Sequence, residues 1–157
     1  SPASLVRDAH QLSGPAEAAH TARQVERAFR LVWRLRDESP EVVEFGVQVL
    51  VSGGFDTTKG AGIVKRSGVD VNKSDDLGQV PLYWAARKGH ADALKVLIAT
   101  AAEIDKRKKN GVSPAYSAAQ KGHIKALEIL VEHGADGGDE LAVGVREDRA
   151  RAHHRSK

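Results

Sequence analysis

With 157 residues, no cysteine, no methionine and 4 % aromatic residues, the chain has the length of one domain or of an elongated array of small modules. Its core must be built from Leu, Val, Ile and Ala. The missing cysteines exclude disulfide frameworks, thiolate nucleophiles and Cys-ligated zinc. The net charge of +3 is mild, but Lys106, Arg107, Lys108 and Lys109 stand together, as do Arg146, Arg149 and Arg151; a basic surface attracts acidic proteins, nucleic acid or lipid headgroups alike.

The opening SPASLVRDAH has neither the charged start nor the apolar run of a signal peptide. No stretch reaches the roughly 18 to 20 continuous apolar residues that a spanning helix needs. An intracellular protein, cytoplasmic with the nucleus as the other compartment, is expected, and the start at Ser1 suggests a piece of something longer. Residues 1–15 read as a flexible N-terminal segment. From Ala22 to Arg36 the pattern predicts an amphipathic helix, with Val25, Ala28, Phe29, Val32 and Leu35 on one side and Arg23, Arg27, Arg30 and Arg34 on the other. Such a stripe is either the solvated side of a buried helix or, with Phe29 and Trp33, a surface for anionic membranes or a partner's groove. The apolar arc also takes in Leu31, and its breadth favours burial in a core.

The helix stops near Ser39-Pro40, and a second follows with Val42, Phe45, Val49 and Leu50 on one face. A competing pattern makes Phe45 to Val51 a strand and Gly60-Ala61-Gly62 a phosphate loop. That loop requires strand, glycine turn and helix in immediate succession. Five residues separate Gly54 from Gly60, no third glycine completes the motif and no Gly-Lys-Ser/Thr occurs, so helices are expected instead.

Beyond residue 70 the chain repeats itself. Gly78 matches Gly111, Pro81 matches Pro114, Ala85-Ala86 match Ala118-Ala119, Gly89 matches Gly122 and His90 matches His123, each at an offset of 33. Pro81 and Pro114 suit first helical turns, near 81 to 88 and 114 to 121, and Gly89 and Gly122 suit left-handed stops. Second helices follow, with stripes Ala93, Leu94, Leu97, Ile98 and Ala126, Leu127, Leu130, Val131. Ala101 stands where Gly68 and Gly134 stand, and a positive φ there costs on the order of 1 kcal/mol. The period and the approximate Thr-Pro-Leu-His-x-Ala pattern resemble the ankyrin repeat family over about 68–136, with GVDVN (Gly68 to Asn72) closing a preceding unit. Residues 22–70 resemble an armadillo-type helical repeat, a Pro-punctuated helix pair followed by an IVxxGG-like turn.

An all-α helical-repeat solenoid is therefore expected: a helical cap or degenerate repeat at 16–70, two ankyrin repeats with β-turn tips at 71–136, and a basic tail at 137–157. Two copies are too few to bury their own faces, so upstream helices must close the stack. The resemblance implies a non-catalytic protein-interaction module read by tip and first-helix positions. Those are Ser74, Asp76, Leu77 and Gln79, then Arg107, Lys109, Asn110 and Val112, with Arg87, Lys88, Gln120 and Lys121 on the helices and Trp84 as an aromatic anchor or a packing residue. The balance is basic, so an acidic protein segment is the expected partner. His90 and His123 belong to the repeat, as no recurring His, Asp or Glu completes a metal set, and no cofactor is expected. The departures Tyr83 and Tyr116, at the family's inter-loop histidine, predict weaker bonding between repeats, and the family's Thr hydroxyl survives only as Ser113.

Other classes fare poorly. Base-stacking aromatics are nearly absent, against nucleic acid. No Gly-x-Ser-x-Gly elbow or His-Glu-x-x-His is present, against hydrolysis, and Asp75-Asp76 and His153-His154 lie in polar surroundings. Leu141, Val143 and Val145 could touch the last repeat.

Overall fold

Three prolines start the architecture. The computed structural model describes residues 20–135, which form α1 (Ala22–Leu35), α2 (Pro40–Ser52), α3 (Thr57–Ser67), α4 (Pro81–Lys88), α5 (Ala91–Ala99), α6 (Pro114–Gln120) and α7 (Ile124–Glu132). Pro40, Pro81 and Pro114 each open the first helix of a pair, where the missing N–H has no intrahelical partner to lose. Ser39 and Ser113 cap two of these helices by accepting from Val42 and Tyr116 N–H groups, whereas Val80 offers no side-chain cap. α1 begins with a reciprocal capping box between Thr21 and Gln24.

The pairs stack in two rows. α2 packs on α4 and α4 on α6; α3 packs on α5 and α5 on α7; α1 lies across α2 and α3. Ala85, Ala86 and Ala118 are fully buried between first helices, and such small side chains let helix axes approach closely. Leu94 and Leu97, then Leu127 and Leu130, fill the space between the rows, each stabilising by about 1.5–3 kcal/mol. Upstream, Val25, Ala28, Phe29 and Val32 of α1 are buried against α2 and α3, while Arg23, Arg27, Arg30 and Arg34 face solvent. With Phe29 buried, α1 cannot offer that side to a membrane.

Two expected faces are corrected. In α2 the buried side is Val43, Glu44, Gly46, Val47 and Leu50, while Phe45 is 58 % and Val49 38 % exposed. The helix turned because Leu35 of α1 sits against Gly46, where a Cβ would come within 2.8 Å of Leu35 Cδ1. In the second helices Val96 and Ile129 are buried, whereas Ile98 and Val131 are only half-buried. Facing the previous pair as well as their own partner shifts the stripe toward the N-terminal neighbour. The glycines that made α3 look poor have a use, since Gly60 lies against Val96 of α5.

Each second helix ends in a left-handed residue: Gly68 with φ 77°, Ala101 with φ 70° and Gly134 with φ 93°. Left-handed strain on a Cβ-bearing residue is about 1–2 kcal/mol, more than the roughly 0.4–1 kcal/mol of extra unfolded-chain entropy that glycine brings. Ala101→Gly should therefore raise the unfolding free energy by about 0.5–1 kcal/mol; a urea titration with unchanged slope and an unmoved or lower midpoint would refute it.

Candidate functional site

The turns between pairs are built from hydrogen bonds before they are a surface. In the first, Asp75 N–H donates to the Gln79 carbonyl at 3.0 Å and Gly78 N–H to the Asp75 carbonyl at 2.9 Å. The Asp75 carboxylate accepts from the Leu77 N–H (3.0 Å), the Gln79 N–H (2.9 Å) and the Gln79 side-chain amide (2.9 Å). Burial works to raise this carboxyl, but the bonds from Gln79 and Leu77 outweigh it and hold it below the usual carboxylate range. In the second turn Lys108 replaces the carboxylate. The backbone pairing of Lys108 with Val112 persists (3.0 Å), Asn110 accepts from the Val112 N–H (3.1 Å), and Arg107 donates to the Gly111 carbonyl (2.8 Å).

The two turns are joined edge to edge. Lys109 N–H donates to the Leu77 carbonyl at 2.9 Å. Gly78 makes this possible twice over: its φ is 79°, and a Cβ would lie 2.9 Å from the Lys109 nitrogen. The next level is tied by Asn72, whose amide donates to the Ala101 carbonyl (3.2 Å) and whose oxygen accepts from the Glu103 N–H (2.7 Å). These bonds link repeats where the family's histidine is replaced by Tyr83 and Tyr116.

Among the sequence-derived site residues, Asp76, Leu77, Lys109 and Asn110 project from the turns, and Gln120 and Lys121 are exposed at the end of α6. Leu77 is 59 % exposed. Gln79 is corrected: it is 5 % exposed, because its amide is consumed by Asp75, and it offers no surface. Val112 is half-buried against the core. Trp84 resolves toward packing, half-buried with its ring edge-on to Tyr83 at 5.7 Å. The Arg87 guanidinium and Lys88 ammonium lie 5.4 and 5.5 Å from its ring centre. Lys88 is also 3.3 Å from Glu41 and 3.9 Å from Glu44, so its charge is partly spent within the chain.

The His positions differ although their sequences match. His123 sits on Gly89, whose added Cβ would lie 2.5 Å from His123 Nδ1. His90 Nδ1 lies 2.5 Å from Oε1 of Glu44, a carboxylate with no solvent exposure. Sequence reasoning missed Glu44. The available signal was a lone acid in VVEFGV, a run otherwise apolar, since an ionised group enters a core only when paired. Among the described residues no group of acids and histidines is arranged to hold a metal ion, and no helix is long and apolar enough to cross a membrane.

A family model described as ankyrin repeats, in three copies, matches residues 46–140. The chain belongs to the ankyrin repeat family. Ankyrin repeats form protein–protein interaction modules, generally without catalysis. The match begins inside α2 and takes in residues 46–70 of the segment that resembles an armadillo unit, so one more ankyrin pair is present than the two legible copies. That pair is eight residues longer, running from Pro40 to Gly68 where the others run from Pro81 to Ala101 and Pro114 to Gly134, and Phe55 follows Gly54 where a His follows Gly89 and Gly122. Among curated relatives, Ankyrin repeat domain-containing protein 37 of Xenopus tropicalis is 48 % identical over 40 residues, covering 26 % of this chain and 24 % of that protein.

The Asp75 network sets a pH test. Asp75→Ala should lower stability by about 1–2 kcal/mol at neutral pH. Because the folded-state carboxyl is depressed, its contribution is full above the ordinary aspartate range near pH 4 and fades as pH falls through the lower folded-state value. The gap between parent and variant midpoints should shrink in that acid window; a gap constant with pH would refute the role.

Proposed function

We propose that this ankyrin module docks an acidic protein segment on the face made by its two turns and the exposed side of α4 and α6. The observation that carries the reading is the Lys109–Leu77 backbone bond: it holds an exposed leucine beside the Lys106–Lys109 basic run. An apolar knob in a positive surround suits an acidic segment that carries one aliphatic or aromatic side chain. Lys121 and Arg87 extend the positive field along the helices, the latter stacked on Trp84. Asp76 marks its limit, and Gln79, being buried, takes no part. The module acts by binding, and the recognition energy would concentrate at Leu77 and its neighbouring cations.

A short Glu/Asp-rich peptide carrying a single leucine is a suitable probe in calorimetry at two salt concentrations. Lys109→Glu with Lys121→Glu should weaken binding about tenfold and flatten its salt dependence, and Leu77→Ala should weaken it with the salt dependence intact. Equal affinity and salt dependence in parent and charge-reversed chains would remove the reading. A steeply salt-dependent preference for a single-stranded oligonucleotide over the peptide would replace it.

A further inference from the structure

We infer that the groove between α1 and α2 is a second docking site, one that receives an amphipathic helix with an acidic polar face. The groove holds about 270 Å³ and is lined by Arg27 and Leu31 of α1, Val49 of α2, and His20, Gly53 and Phe55 at its closed end. At that end His20 donates from Nε2 to the Gly53 carbonyl at 2.7 Å and stacks on Phe55 with ring centres 3.9 Å apart. Toward the other end Phe45, one turn before Val49, continues the apolar lip, and Leu35 lies against Gly46 beneath it. Phe45 and Val49 are 58 % and 38 % exposed in a helix whose other side is thoroughly buried.

Three features select the occupant. The lining runs along α1 from Gln24 to Leu31, about 10 Å at 1.5 Å per residue, the length of about two turns of a partner helix. Leu31 and Val49 give one apolar contact on each wall, and Phe45 stands exposed one helical turn before Val49, a spacing that suits anchors at i and i+3/i+4 of a partner helix. The outer wall is cationic: Arg27 and Arg34 are exposed on either side of Leu31, and neither has an ion-pair partner among the described residues, whereas Arg30 is paired with Glu26 at 2.5 Å. A partner helix whose solvent-facing flank carries Glu or Asp would satisfy both arginines while burying its leucines on Val49 and Phe45. The basic amphipathic helix thus serves as one wall of a receptor and not as a ligand. No residue is shared with the turns, so the site stands independently of the face proposed above.

The test uses the whole chain and a synthetic helical peptide with Leu at i, i+3, i+4 and i+7 and Glu at the remaining positions, titrated by fluorescence anisotropy. Phe45→Glu with Val49→Ser should reduce affinity at least about tenfold, and Arg27→Glu with Arg34→Glu should reduce it comparably while reversing the salt dependence. Both pairs are solvent-facing, and unchanged helical circular dichroism and melting establish that the variants fold. Lys109→Glu should leave this peptide's affinity unchanged, which separates failure here from failure of the turn site. Retained affinity in both groove variants overturns the inference. So does binding that emerges only after removal of residues 1–19, which assigns the groove to the chain's own N-terminal segment, or concentration-dependent self-association abolished by Phe45→Glu, which assigns it to a second copy. Binding to anionic vesicles with no peptide binding also overturns it.

Discussion

No helix pair in this chain can bury its own apolar surface. Helices of 7 to 9 residues are too short to persist alone in water, where about 12 to 15 residues are marginal, so each survives only as a layer between layers. Burial of Ala85 and Ala118 between first helices, and of Leu94, Leu97, Leu127 and Leu130 between rows, is therefore a property of junctions. α1 follows from the same constraint. Its Val25, Phe29 and Val32 supply the surface that a preceding pair would supply, while its arginines supply the solvated exterior.

Once the helices are stacked, the turns have little freedom left. Their spacing is fixed by the layers, and the chain uses it to connect them with main-chain and amide hydrogen bonds through Lys109 and Leu77 and through Asn72. A recognition surface made this way has a backbone fixed by the core and side chains free to vary. Asp75 in one turn and Lys108 in the next occupy the same place with opposite charge, and the turn geometry tolerates both because Asn110 takes over the capping of Val112.

Much of this was legible in the sequence, and the failures have physical reasons. The 33-residue offset, the prolines at helix starts, and the left-handed Gly89 and Gly122 were readable because each is a backbone requirement that few residues satisfy. The left-handed Ala101 was readable only through its partners in register. The first pair escaped as an ankyrin unit because eight extra residues and Phe55 in place of His broke the period. The face of α2 was misplaced because its polar stripe, Glu41, Glu44, Gln48 and Ser52, reads as solvent-facing although Glu44 on it is buried against His90, and Gly46, which decides the orientation, speaks only through Leu35. Within the candidate site the exposed positions Leu77 and Lys109 were found from register. Gln79 was not recognised as buried, because a polar side chain satisfied by its own turn looks, in sequence, like one meant for a partner.

The Lys-Gly-His triplet occurs twice, at Lys88 to His90 and at Lys121 to His123, yet one histidine meets a buried carboxylate and the other rests on a glycine. The role of each imidazole is written in the unit that precedes it. The portable element is accordingly the seam between two units rather than the unit itself. Grafted behind a foreign neighbour, residues 81–101 would carry a histidine without its acid, and Glu44 left behind would be a buried carboxyl without its hydrogen-bond partner.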